Sequence, residues 1–328
     1  MRYQRLGNTG LRVSEMFLGA MVLDDDGPRG ELPRVIDAYA DAGGNVLDTA
    51  VNYAGGRSEE VIGAALRGRR DRFVLSTKYT MARNDTDPNA AGSHRKNLVR
   101  SLDTSLRRLG TDHIDLYWVH LWDDATPLEE TMRALDDAVR AGKILYTGFS
   151  NAPAWVVTRA HTLAQWHGWT PFAAIQVLYN LLNRDVERDL LPMAEHLGLS
   201  VAAWSPLAGG AVVGQGRPNG VAATGGTRQE GVVRTVADVA AELGATPSQV
   251  ALAWTRARSA SVHPIMGVAS ADHVTENLRA LDLDLPAEAL DRLDKASATP
   301  LGYPHDFIAA YGSEALGAAA LPRVPARR

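Results

Sequence analysis

The chain has 328 residues, 45% of them hydrophobic and 22% charged, ordinary values for a globular protein. A net charge of −4 gives no ground for nucleic acid or an anionic membrane as main partner. The absence of cysteine excludes disulfides, thiolate nucleophiles, iron–sulfur clusters and cysteine-based zinc sites.

In chain order, residues 2–14 read as a β-hairpin turning at Gly10 and suited to plug the bottom of a barrel. They follow no apolar leader segment, and no later stretch approaches the ~20 apolar residues of a membrane helix, so a cytoplasmic location is expected. Short apolar runs rich in β-branched residues then recur at 16–19, 45–48, 73–77, 114–119, 144–149, 174–177, 201–204 and 262–266. Between them, apolar residues at helical spacing occupy 32–42, 58–66, 95–109, 128–141, 154–166, 187–197 and 232–243. Crossovers of this length force parallel pairing, so the repeated strand–helix unit predicts a closed (β/α)8 barrel, one domain over 1–328.

Thr126-Pro127 and Thr246-Pro247 look like N-caps followed by a proline at the first helical position, and Gly110, Gly142, Gly198 and Gly244 stand where helices should stop. The Gly-rich stretch 208–230 reads as a mobile loop. Residues 282–328 read as a last helix near 287–296 and then a tail.

Active sites of such barrels gather at the C-terminal ends of the strands. Reactive residues there are Asp48 and Tyr53 after the second strand, Lys78 after the third and His120 after the fourth. Ser150 and Asn151 follow the fifth strand, Gln176 the sixth, and Trp204-Ser205-Pro206 the seventh. A phenol with an ordinary pKa near ~10 is a poor acid at neutral pH; a nearby ammonium favours phenolate, and a carboxylate can hold that ammonium. Tyr53, Lys78 and Asp48 supply these three parts, and His120 can orient a carbonyl oxygen. Each has an ordinary alternative: a helix cap for Asp48, a half-buried ring for Tyr53, a surface charge for Lys78, a core histidine for His120. Four such accidents on one rim would be uncommon.

The run Asn45-Val46-Leu47-Asp48-Thr49-Ala50-Val51-Asn52-Tyr53, with Ser58-Glu59-Glu60-Val61-Ile62-Gly63, resembles the aldo-keto reductase signature. Ser76-Thr77-Lys78 resembles that family's lysine segment and 114–120 its histidine segment, in matching order and spacing. The resemblance implies a carbonyl reductase in which Tyr53 donates a proton, Lys78 and Asp48 tune it, and His120 orients the substrate. It also implies a nicotinamide held by Ser150, Asn151 and Gln176 over Trp204, with Asp48 and Met21 close by. Ser205-Pro206-Leu207-Ala208-Gly209-Gly210 resembles the pyrophosphate loop, and Gly267, Ser270, His273, Glu276 and Asn277 the adenosine end.

NADPH is the cofactor the family implies. The sequence departs from pattern at Ala269, His273 and Gln215, where many relatives carry cationic or amide groups, so NADH stays open; Arg217 and Arg228 are the candidate substitutes for a 2′-phosphate contact. Within the family, 97–100, 118–123, 127–130 and 152–157 look closest to the aryl-alcohol dehydrogenase branch, which includes ketoreductases of aromatic polyketides. Beside Tyr53 and His120, the expected substrate contacts are Met21, Trp118, Trp122, Tyr303 and Phe307. The expected partner is a small carbonyl compound, with no metal ion involved and a homo-oligomer left open. The alternative is a nicotinamide-binding regulatory or sensor subunit with slow turnover.

Overall fold

The computed structural model describes residues 1–21, 31–83, 86–215 and 226–315. The hairpin is β1 (Tyr3–Arg5) against β2 (Arg12–Ser14), antiparallel. The eight barrel strands are β3 (Phe17–Gly19), β4 (Val46–Asp48), β5 (Val74–Tyr79), β6 (Ile114–Val119), β7 (Ile144–Ser150), β8 (Phe172–Leu178), β9 (Ser200–Trp204) and β10 (Val262–Gly267). They close in sequence order, with β10 pairing β3 in parallel, so the expected (β/α)8 barrel is present. The helices between them are α1 (Glu31–Asp41), α2 (Arg57–Ala65), α3 (Arg95–Leu109), α4 (Leu128–Arg140), α5 (Ala154–His167), α6 (Leu190–Leu197), α7 (Thr227–Leu243) and α8 (Pro247–Ala257). After β10 come α9 (Ala271–Leu278), α10 (Ala287–Ser297) and α11 (His305–Ala315).

Burial on both faces explains the continuous apolar runs: all six residues of β6 are buried. One face looks into the barrel, where Leu116, Trp118, Val46, Val74, Ala174 and Ala202 meet Leu6 and Val13 of the hairpin. The hairpin therefore plugs the N-terminal end as expected. Gly7 is required there, since a Cβ on it would lie 2.2 Å from the Ala173 carbonyl oxygen. The other face packs against the helices in the larger core.

Several local expectations need correction. Thr246 does cap α8, in a capping box with Gln249. Thr126 does not cap α4: its hydroxyl donates to Asp123 instead, and Pro127 is the residue before the helix. The stretch 208–230 is not a loop throughout, because Ala208–Val213 forms a 3-10 helix and α7 begins at Thr227; residues 216–225 lie outside the described residues. Where only a tail is expected, a further helix, α11, is present. Residues 321–328, the end of the expected tail, lie outside the described residues.

Candidate active site

At the C-terminal rim, β4 delivers Asp48 and β5 delivers Lys78, whose ammonium is fully buried. A buried charge must be paired and hydrogen-bonded to persist. Lys78 Nζ donates to Asp48 Oδ2 at 2.5 Å, to the Thr49 carbonyl oxygen at 2.8 Å and to the Tyr53 hydroxyl at 3.2 Å. An ammonium has three donors, so all are committed. The other carboxylate oxygen, Asp48 Oδ1, accepts Ser76 Oγ at 2.6 Å and Gln176 Nε2 at 3.1 Å. Burial alone would lower the Lys78 pKa, but Asp48 and Tyr53 outweigh it and hold the ammonium above the usual lysine value.

Tyr53 opens a 3-10 turn, Tyr53–Gly56, in which Ala54 and Gly55 take left-handed dihedrals. Its ring meets His120 edge to face, with centroids 5.7 Å apart. Burial, and then the Lys78 charge, push the His120 imidazole down to about 3, so the ring is neutral at physiological pH. Its Nδ1 is buried with no hydrogen-bond partner.

Asn151, itself left-handed (φ 49°), ties three strand ends together. Its Nδ2 donates to the His120 carbonyl oxygen and to Ser150 Oγ, both at 2.9 Å, and its Oδ1 accepts Trp204 Nε1 at 3.2 Å. That leaves one acceptor lone pair on Asn151 for a ligand, while Gln176, its amide nitrogen engaged by Asp48, can offer its oxygen.

These groups open on a cavity of about 840 Å3. Of the expected contacts, Met21, Asp48, Tyr53, His120, Asn151, Gln176, Trp204, Ser205, Pro206, Leu207, Gly209, Gly210, Gly267 and Asn277 line it together. The size suits a dinucleotide fragment with a small substrate. Apolar walls, an indole, amide groups and a glycine-rich segment with positive φ at Gly209 and Gly210 suit the flat ring and anionic bridge of a nicotinamide dinucleotide. Ser150 lies just beneath as a buried partner of Asn151. At α9, Ser270 is the N-cap, accepting the His273 amide, and the Glu276 carbonyl oxygen accepts Gln249; none of these three residues is among those lining the cavity.

The expected substrate wall needs the largest revision. Trp118 is fully buried inside the barrel, on the same face of β6 as His120 and one pleat below it, so it underlies the site and does not line it. Its ring fills the space above Gly148, where a Cβ would lie 2.3 Å from it. Trp122 packs edge to face on Trp155 and is absent from the lining, as are Tyr303 and Phe307, which are exposed beside and on α11. The apolar wall instead includes Met81 and Leu121, each just past a strand end, with Ile265 of β10 and Leu252 of α8. Met81 and Leu121 could have been found from their places three and one residues after Lys78 and His120. Leu252 gave no signal in the sequence.

No Lys or Arg lines the cavity among the described residues. Arg228 is turned to the carbonyl oxygens of Leu182 and Ser297, at 3.2 and 2.8 Å, which corrects its expected role at a 2′-phosphate. Arg217 lies outside the described residues. At the start of α9, Glu31 Oε1 accepts the Ala271 amide at 2.9 Å. Among the described residues no group of three His, Asp or Glu could hold a metal ion, and no helix is long and apolar enough to cross a membrane.

The aldo/keto reductase family model matches residues 15–298, and the chain belongs to that family. It is 35% identical to an aryl-alcohol dehydrogenase of Pestalotiopsis microspora over 92% of this chain and 83% of that one. The norsolorinic acid reductase of Aspergillus flavus is also 35% identical, over 93% of this chain and 84% of its own. So is the aldo-keto reductase ausK of Aspergillus calidoustus, over 94% and 85%. This family membership supports an oxidoreductase acting on small carbonyl compounds.

Proposed function

We propose that the chain reduces an aromatic ketone or aldehyde to the alcohol with NADPH or NADH, using Tyr53 as proton donor. The observation that carries this reading is the 3.2 Å contact of the buried Lys78 ammonium with the Tyr53 hydroxyl at the cavity wall. When bound, the reduced nicotinamide supplies a hydride to the carbonyl carbon. Tyr53 gives its proton to the carbonyl oxygen, a contribution of typically ~10²–10⁴ in rate. Lys78, anchored by Asp48 and Thr49, stabilises the phenolate left behind. Neutral His120 orients the carbonyl without bringing a second positive charge. Asn151, Gln176 and Trp204 would hold the ring, and 205–210 the anionic bridge.

The aromatic assignment is supported by the apolar side chains at the mouth, Met21, Met81 and Leu121, and by relatives named for aryl alcohols and norsolorinic acid. A ketone intermediate of natural-product assembly is our first candidate for the substrate class, and a simple aryl aldehyde the second. The described lining carries no cation to read a 2′-phosphate, and a carboxylate sits at the head of α9. NADH should therefore be accepted alongside NADPH. The test is quenching of NADPH and NADH fluorescence by the protein, followed by loss of each with a panel of aryl aldehydes and aromatic ketones. Quenching and turnover with aromatic carbonyls support the reading; no quenching by either nicotinamide overturns it.

A further inference from the structure

Tyr53 sits on an unusual piece of backbone. The three residues after it have φ of 48°, 64° and 102°, and the first of these is Ala54, not glycine. Each left-handed non-glycine residue costs about 1–2 kcal/mol, so the surroundings must over-determine the turn. The turn's own bonds are few: the Tyr53 amide donates to Ala50 and the Gly55 amide to Asn52, at 3.1 and 3.2 Å, and the Arg57 amide to the Ala54 carbonyl oxygen.

A further restraint comes from α3. Arg108 Nη1 donates to the Val51 carbonyl oxygen at 2.8 Å, and Nη2 to that of Gly55 at 3.5 Å, so one guanidinium brackets Tyr53 from both sides in the chain. It passes flush over the turn: a Cβ on Gly56, where φ of 102° already favours glycine, would lie 2.2 Å from Arg108 Cζ. Arg108 is itself fixed by Glu59 of α2, whose Oε2 accepts Nη1 at 3.2 Å. Glu59 is 0% exposed, and its other oxygen accepts Thr77 Oγ1 at 2.7 Å. Thr77 immediately precedes Lys78 on β5, and the Lys78 carbonyl oxygen accepts the Val51 amide at 3.1 Å. One buried carboxylate thus reaches the backbone that carries the phenol and the strand that carries the ammonium. Neither Glu59 nor Arg108 lines the cavity.

We propose that Glu59 and Arg108 are a positioning pair that straps the Tyr53 turn to the Lys78 strand and sets the distance between hydroxyl and ammonium. The proposal rests on Tyr53 being the proton donor. A displacement of about 1 Å can cost about 100-fold in rate. The pair acts only through where it holds Tyr53, so its removal should be felt only while Tyr53 has a proton to give.

The experiment is a double-mutant cycle on the full chain. Glu59→Gln/Arg108→Met removes both charges together, so that no uncompensated carboxylate is left buried. The pair of changes should lower kcat at least ~10-fold while KM and nicotinamide binding, read by fluorescence quenching, move less than ~2-fold. Introduced into Tyr53→Phe, the same changes should cost less than ~2-fold further. An equal loss in both backgrounds would mean a merely structural pair, and no loss in the parent would remove the proposal outright. If Glu59→Gln/Arg108→Met does not fold, as judged by circular dichroism, Arg108→Lys takes its place; it keeps the charge beside Glu59 but cannot bracket both carbonyls, and the same cycle applies. Should Tyr53→Phe alone leave turnover intact, the proton-donor reading fails first, and the strap has nothing to position.

Discussion

The two ends of the barrel are built on different terms. At the N-terminal end, Leu6 and Val13 are fully buried among interior side chains, and Glu15 is pinned between Arg2 and Arg256 by ion pairs of 3.0 and 3.1 Å. At the C-terminal end stand all five non-glycine residues with positive φ among those described: Ala54, Thr80, Asn151, Ser205 and Ala208. Three of them, Ala54, Asn151 and Ser205, line the cavity. One end is relaxed and sealed; the other stores strain around a fully committed buried ion pair. The contrast is what a barrel needs if stability is vested below and reactivity above.

The largest expected effect tests the ion pair. Asp48→Ala leaves the buried Lys78 ammonium without its carboxylate and should cost about 3–5 kcal/mol, read from urea denaturation. The next tests the seal: Leu6→Ala should lower stability by about 2–5 kcal/mol with kcat nearly unchanged, because the plug touches no reacting group. A smaller effect of opposite sign is expected at the strained end. Ala54→Gly relieves a left-handed alanine and should stabilise the fold by up to about 1 kcal/mol in the same assay, yet lower kcat by loosening the Tyr53 turn. A variant that gained stability and kept full turnover would show that the strain has no function.

The last prediction concerns pH. His120 has a folded pKa of about 3 against an ordinary 6.5, so over that window the unfolded chain binds the extra proton. Its contribution to stability is complete above pH 6.5 and is lost as pH falls toward 3. His120→Asn should flatten that acid limb in a pH series of denaturation curves. Turnover should show no inflection from His120 near pH 6.5, because the folded ring is already neutral there.

Much of this was legible in the chain, for physical reasons. Strands buried on both faces read as unbroken apolar runs, and polar residues at their ends stand out against them; Asp48, Lys78, His120 and Gln176 were visible that way. The same property hid Trp118. A run buried on both sides does not say how far below the rim each side chain lies, so an indole one pleat below His120 read as pocket wall. Thr126-Pro127 carried the right residues for a cap, but Asp123 engaged the threonine hydroxyl first. Tyr303 and Phe307 are large aromatics near the end of the chain, and nothing local to them reveals that α11 leaves them exposed. The strap over Tyr53 was equally invisible, because Arg108 is 55 residues from Tyr53 in sequence and meets it only through the packing of α3 on α2.

The central claim is that the hydroxyl held 3.2 Å from the Lys78 ammonium supplies the proton. Single-turnover and steady-state rates of Tyr53→Phe with an aryl aldehyde, alongside nicotinamide fluorescence titration, measure it most directly. Turnover should fall at least ~100-fold while nicotinamide affinity stays within ~2-fold of the parent. Near-parental turnover in that variant would contradict the account.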